Sequence, residues 1–397
     1  MDKKTGNPTT IKEKNQKVLA QYLFENKTTS RSNLVKVFKL SAPSIYKNIG
    51  QLIEQNIVLE LGEGGSEGGR RPKLISFNYD YGYIVGIDLK GETLKLALAN
   101  MELNIIGRAE ISINEFNDET KLISQSIKKI KSLLKKNKIK EKDLLSISIG
   151  YPGSVNQETG AVKMAPDWLN VSDVKKMEAM YSEAFSESSI LIKNDTNLAA
   201  TGELKYGCGQ KHKNLLYINV DMGVGAGIII DGKLFEGSRF ASGEIGFTKT
   251  KVNSSQSLED EISIRGLVQQ IKNDSEKQNN SDLLTFINKD ETTLNFKVCN
   301  KALKKNDPYL INLMEQIVEK LSFVLVNSCY LLDMDAFIIG GQLLELNYDF
   351  KSKLDEMVNE YRNIEVEIGY SSLNQDEVIY GGFALALDEI LKNIVDY

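Results

Sequence analysis

The sequence predicts an α/β protein that opens with a winged helix-turn-helix. Three observations carry this reading. Apolar residues keep helical spacing in three short runs up to Ile53, two later stretches read strand, acidic turn, strand, and the rest alternates strands with amphipathic helices. With 397 residues, 41% apolar and 26% charged, the chain is long enough for two or three domains with sizeable cores. A single histidine, His212, and three separated cysteines, Cys208, Cys299 and Cys329, exclude a two-histidine zinc site and a CxxC pair. Chemistry must rest on carboxylates, amides, hydroxyls and backbone; no metal and no cofactor is expected. No apolar run reaches the roughly 18 residues of a membrane span, and MDKKTGNPTT lacks an apolar signal core. A cytoplasmic protein with reduced thiols and no membrane association is expected.

The net charge of −5 is unevenly spread: residues 1–80 sum to +5 and residues 81–397 to −10. A basic head on an acidic body suggests a polyanion-binding module joined to something else, although a solvated surface could carry the same charge. In the head, Val18, Leu19, Tyr22 and Leu23 predict a helix from Glu13 to Asn26. Leu34, Val35 and Phe38 behind the possible caps Thr29 and Ser30 predict a second. In the third, Ser41 is the cap, Pro43 fits the first turn, and Ile45, Ile49, Leu52 and Ile53 form one apolar stripe. That helix would enter a major groove, presenting Ser44, Tyr46, Lys47 and Asn48. Ile57 to Leu61, a glycine-rich tip and Lys73 to Phe77 read as the wing hairpin. Within it, GGRRP places Arg70 and Arg71 on a thin backbone suited to a minor groove. An interdomain linker with incidental arginines is the alternative, disfavoured behind three helices of this spacing.

In the body, Tyr83 to Ile87 is a strand ending at Asp88, followed by the turn Lys90-Gly91-Glu92-Thr93 and a strand from Leu94 to Ala99. Leu215 to Val220 repeats the pattern with Asp221, a glycine-rich turn from Gly223 through Gly225 to Gly227, and a strand from Ile228 to Ile230. Two such hairpins suggest a duplicated α/β fold whose loops expose N–H groups that could cradle phosphates. Leu122, Ile123, Ile127, Ile130 and Leu134 mark a helix between them, and Ser146 to Gly150 a strand running into Pro152-Gly153.

Taken in order, GIDLKGETLKLAL, SIGYPGSVNQETGAV, IKNDTNLAATGELKYG, NVDMGVGAGIIIDGKLFEG, ASGEIGF, LEDEIS, DMDAFIIGGQL and YGGFALAL resemble the ROK family of sugar kinases and sugar-responsive repressors, within the actin-like ATPase superfamily. The resemblance covers residues 81–397, and the head with GGRRP is similar to that of the family's repressor branch. It implies a winged helix-turn-helix over residues 1–80 and a ribonuclease H-like, two-lobed body split into 81–193 and 194–397. It also implies a double-stranded DNA operator, a small sugar effector and a homodimer or homotetramer. By the resemblance, Asn194 and Asp195 bind sugar hydroxyls, and Asp195 is the general base if the chain is a kinase. Glu244 and Glu259 are further sugar ligands, and Phe247 stands where the family has histidine. The same residues allow blander readings: Asn194 and Asp195 suit an Asx cap of the helix from Leu198 to Tyr206, and Glu259, Asp260 and Glu261 a solvated helix start.

Departures from the family pattern weigh against phosphorylation. The family's Asp-x-Gly-Gly-Thr phosphate loop reads here Asp88, Lys90, Gly91 and Thr93, with Lys90 at a glycine position and Glu92 inserted. A side chain there obstructs a phosphate and a carboxylate repels it, although Lys90 could also pair with one. Gly223, Gly225, Gly340 and Gly341 keep the remaining nucleotide-side pattern. The family's zinc loop is absent: TKTKVNSSQSL, between Phe247 and Glu259, has no cysteine. The three cysteines are expected to pack as small apolar groups and His212 to be an exposed loop residue.

Overall fold

The computed structural model describes residues 8–63, 73–91, 93–116, 118–156, 158–163, 173–275, 295–361, 363 and 365–395; the expected sites Arg70, Arg71 and Glu92 lie outside them. The head is built as its caps dictate. Helix α1 (Pro8–Asn26) buries Leu19 and Leu23 completely. Helix α2 (Arg31–Phe38) starts at Ser30, whose hydroxyl accepts from the Asn33 N–H, and stops at Lys39 in the left-handed region (φ 53°). Helix α3 (Ala42–Glu54) starts at Ser41, whose hydroxyl accepts from the Ser44 N–H, with Pro43 in its first turn. Strand β1 (Thr28–Ser30), too short for any periodicity to reveal, pairs antiparallel with β3 (Lys73–Phe77), which also pairs with β2 (Val58–Glu63). The base of the expected wing is therefore a three-stranded sheet.

The body holds two five-stranded sheets. The first contains β4 (Tyr83–Lys90), β5 (Thr93–Asn100), β6 (Ile105–Ser112), β7 (Leu144–Tyr151) and, beyond the small ribbon β8 (Ser154–Val155) and β9 (Val162–Lys163), β10 (Ser189–Asn194), in the order β10-β7-β4-β5-β6. The second contains β11 (Leu215–Val220), β12 (Val224–Ile230), β13 (Lys233–Leu234), β14 (Ala336–Gly340) and β15 (Glu367–Tyr370), in the order β13-β12-β11-β14-β15. Side chains on each sheet alternate between two apolar layers. Val85, Ile87 and Leu89 pack with α4 (Glu119–Lys136) and α5 (Lys175–Ala184). Ile84 faces the other way, toward the last helix. Leu216, Ile218 and Val220 pack with the outer helices α7 (Leu258–Ile262), α8 (Ile264–Ser275), α9 (Phe296–Leu303), α10 (Pro308–Leu332) and α11 (Phe350–Tyr361), whereas Leu215 and Tyr217 face α6 (Asp195–Tyr206).

Helix α6 and the closing helix α12 (Glu377–Asn393) lie between the sheets and cross with their backbones in contact. A Cβ on Gly381 would stand 1.8 Å from the Leu198 carbonyl oxygen, and one on Gly202 would stand 2.2 Å from that of Glu377. At its far end α12 places Ile390, with Ile394 just beyond it, in a core shared with Ile84 and Ala97 of the first sheet, Met101 of the turn after β5, and Leu19 and Leu23 of the head. The Tyr79 hydroxyl donates to the Phe24 carbonyl (2.7 Å), closing the same seam.

Three expectations need correction. The glycine-rich stretch is not a turn: β12 already begins at Val224, so Gly225 and Gly227 lie inside a strand. A Cβ on Gly227 would stand 2.4 Å from that of Ala200, and one on Gly225 2.9 Å from the Thr196 hydroxyl oxygen, so these glycines let α6 lie on the sheet. His212 is not exposed; its side chain is 12% exposed, with Nε2 3.5 Å from Glu367. Cys299 and Cys329 are buried, but Cys208 donates its thiol to Glu203, and burial pushes that thiol up to about 12. Among the described residues no helix is long and apolar enough to cross a membrane, and no group of three His, Cys, Asp or Glu side chains is placed to hold a metal ion.

Candidate functional site

A cavity of about 1210 Å³ opens between the sheets, walled by the turns after β4 and β11, the start of α6 and the first residue of α12. The expected residues Asn194, Asp195, Glu244, Phe247 and Glu259 all line it. Asn194 caps α6: its Oδ1 accepts from the Asn197 N–H (2.8 Å) while its Nδ2 donates to the Gly153 carbonyl (3.1 Å). The capping reading therefore holds, and it fixes the amide at the cavity wall. Asp195 follows with Oδ1 accepting from the Thr196 N–H (2.7 Å) and hydroxyl (3.2 Å). Burial pushes Asp195 up to about 6, against those two bonds. Glu244 is pushed up to about 7, by burial first and then by the carboxylates of Asp195 and Glu259. Phe247 turns an aromatic ring, 55% exposed, into the same space.

The acidic run beside Phe247 is not a solvated face. Glu259 accepts from the Val224 N–H (2.9 Å) and pairs with Arg265. Asp260 forms a capping box with Ser257 at the start of α7. Glu261, buried, meets Lys320 at 3.4 Å and accepts from Thr250. The shortened loop before it folds on itself, with the Leu258 N–H donating to the Thr248 carbonyl (2.8 Å) and Lys249 to that of Ser255 (2.7 Å). Ser263 is fully buried and accepts from the Gly266 N–H (2.9 Å), so it caps α8 and does not face the cavity.

At the other end the two hairpin turns meet, and a Cβ on Gly91 would come 3.8 Å from Met222. Lys90 spans the junction to Asp221 at 3.0 Å. Burial opposes its charge, yet the carboxylates of Asp221, Asp88 and Glu377 hold its pKa above the ordinary lysine value. Asp88 is 1% exposed with Oδ2 lacking a partner, and burial pushes it up to about 7 against the pull of Lys90. Thr93 pairs with Lys90 at the base of the first turn. A Cβ on Gly340 would meet the Tyr217 hydroxyl at 2.2 Å, and Gly341 takes φ 100° where the chain passes the Val220 backbone. Sequence reasoning missed Arg265 and Glu377. The first pairs across a break between two helices, where periodicity is silent; the second signals itself only as the acid opening the helix that contains YGGFALAL.

On the head, Tyr46 (55% exposed) and Lys47 stand outward on α3 and Ser44 is half-buried. Asn48 does not face outward as expected; it is 5% exposed and donates to the Ser44 carbonyl (2.9 Å). Arg31, also missed, pairs with Glu60 (2.7 Å) and lies 5.5 Å over the Tyr46 ring, which fixes that ring on the surface.

The fold and the cleft define a two-lobed α/β body that carries a head of three helices and a three-stranded antiparallel sheet. The chain belongs to the ROK family, whose sequence profile matches residues 84–389. It is 29% identical to the xylose repressor of Caldicellulosiruptor bescii, with 98% of each chain covered. It is 24% identical to the glucokinase of Halalkalibacterium halodurans over 76% of this chain and 93% of that one. Among solved structures it is similar to a ROK family transcriptional regulator described as a homologue of the Escherichia coli MLC protein. That match has a TM-score of 0.77 at 20% identity and covers 96% of this chain and 98% of the other.

Proposed function

We propose that this chain is a sugar-responsive transcriptional repressor of carbohydrate-utilisation genes, xylose utilisation among them, whose body binds a sugar without phosphorylating it. The observation that carries this is the full-length match to a xylose repressor, head included, combined with a cleft whose hydroxyl-binding groups share one cavity. Asp195 and Glu244 supply acceptors for vicinal hydroxyls, Asn194 and Glu259 frame them, and the Phe247 ring offers a stacking face for sugar C–H groups. Sugar binding that favours one lobe arrangement shifts the population toward it and, through α12 and the shared core, toward one placement of the head. Ser44, Tyr46 and Lys47 are assigned to the major groove and Arg70 and Arg71 to the minor groove of a double-stranded operator, bound by a homodimer or homotetramer. Working on DNA places the protein in the cytoplasm.

Fluorescence anisotropy on a selected operator tests this. Replacing Arg70 and Arg71 with alanine should weaken binding at least tenfold with sugar binding unchanged; unaltered DNA affinity removes the wing from the assignment. One observation favours a kinase instead: Asp195, lifted to about 6, is poised as a general base. The Lys90–Asp221 bridge across the phosphate end opposes it. Sugar-dependent ADP release, lost in Asp195→Asn, would establish that reading.

A further inference from the structure

The base of the wing carries a charge cluster that the assignments above leave unused. Side chains alternate along β2 and β3, so Glu60 and Lys73 share a face with Val58, Ile75 and Phe77, which pack on the helices of the head. Past Ile75 this face turns from apolar to charged. There Glu60 accepts from Lys73 (2.9 Å) and pairs with Arg31 (2.7 Å), the first residue of α2. Arg31 also lies 5.5 Å over the ring of Tyr46, so one guanidinium touches both the wing and the outward face of α3. The cluster is open to solvent on its wing side, with Lys73 63% and Glu60 33% exposed, and an ion pair so placed adds little to stability. It is also under-neutralised. Among the described side chains one carboxylate serves two cations, beside the positive end of the α2 dipole, and the buried Arg31 Nε–H has no acceptor.

With α3 in a major groove and the wing in the neighbouring minor groove, the sugar-phosphate strand that divides the two grooves must pass between them. Arg31, Glu60 and Lys73 stand at that place. We infer that the three form a phosphate seat in which Glu60 holds the position of a DNA phosphate until the duplex arrives, and that this carboxylate limits DNA affinity. The inference rests on the DNA-binding reading above and adds residues to it. On binding, Arg31 and Lys73 turn from the carboxylate to the phosphate. Glu60, left beside that phosphate, repels it and holds the affinity below what the two cations alone would give.

Fluorescence anisotropy of the full chain on a mixed-sequence DNA duplex, from about 50 to 200 mM salt, provides the test, because each phosphate neutralised adds about one to the slope of log affinity against log salt. Glu60→Gln should tighten binding about tenfold and steepen that slope. Arg31→Gln and Lys73→Gln should each weaken binding and flatten the slope by about one per bound head, equally on the mixed duplex and on a selected operator. Glu110→Gln removes the same charge from an exposed position on the edge strand β6, controls for net charge, and should change neither quantity. A cluster that merely docks the wing gives the opposite sign: Glu60→Gln then loses affinity along with Arg31→Gln while the slope stays put, and that result overturns the inference. Lys73 is exposed enough for its replacement to leave the head folded, so an unchanged slope in Lys73→Gln overturns it as well. If the wild-type chain binds no duplex, the DNA-binding reading fails and elution from a heparin column decides the seat. Retention to higher salt in Glu60→Gln than in Glu110→Gln upholds it, and equal retention defeats it.

Discussion

Asp88 shows what a single residue costs when a binding cleft is kept acidic. Its carboxyl is buried and lifted to about 7 from a model-peptide value near 3.8. The folded state therefore holds its proton more tightly than the unfolded chain does. Below about pH 4 both states are protonated and Asp88 costs nothing; as pH rises toward 7 the unfolded chain ionises first, and native stability falls. Asp88→Asn should thus raise stability by about 1–3 kcal/mol at pH 8, with the difference fading below pH 4. Urea midpoints at the two pH values measure it, and a variant less stable at pH 8 contradicts the argument. At this scale the sequence was informative wherever a residue's chemistry is unusual for its place. Lys90 stands out as a departure from the family pattern, and Asp195, Glu244 and Glu259 as acids in an ordered set of motifs. The partner that neutralises Glu259 was invisible, because Arg265 lies in the next helix and no spacing rule joins them.

Among the elements, glycine was where reading and structure diverged. Gly223, Gly225 and Gly227 suggested a phosphate-cradling loop, yet Gly225 and Gly227 are strand positions cleared for α6, and a pattern of glycines does not say whether a ligand or a helix approaches. The same logic gives opposite outcomes at two helical glycines. Gly381 lies where α12 crosses α6, with the Leu198 carbonyl 1.8 Å from any added Cβ, so Gly381→Ala must push the helices apart. A loss of about 3 kcal/mol or more is expected. Gly50 in α3 has open space around its Cβ position, so Gly50→Ala should stabilise the head by about 0.5–1 kcal/mol through helix propensity alone. Chemical denaturation of the two variants in parallel checks both signs. Where a helix announces its own start, the elements were legible: Ser30 and Ser41 cap α2 and α3, and the stripe from Leu122 to Leu134 is the buried face of α4.

For the whole molecule, the decisive feature is that the head is not tethered to the body by a bare linker. The sequence read residues 1–80 as a separate module, since charge and motif both change there, and nothing local reveals that the last helix returns to the first sheet. Long-range order of this kind is set by which apolar surfaces find each other, and periodicity reports only that a surface exists. In the structure Leu19 and Leu23 of α1, Ile84 and Ala97 of the first sheet, Ile390 of α12 and Ile394 just beyond it belong to one core. The opposite end of α12 brings Glu377 to the cleft wall. In the proposed repressor, a helix that touches the cleft at its first residue and packs on the head at its far end is the route by which close packing would couple the two. Ile390 is fully buried, and Ile390→Ala should cost about 2–5 kcal/mol. If the core is continuous, hydrogen exchange will accelerate in α1 together with the first sheet, and operator affinity will fall although no residue facing DNA has changed. Exchange that accelerates in α12 and the first sheet while α1 keeps its full protection would show that the head folds and moves independently, and the packed route from cleft to DNA would then have to be abandoned.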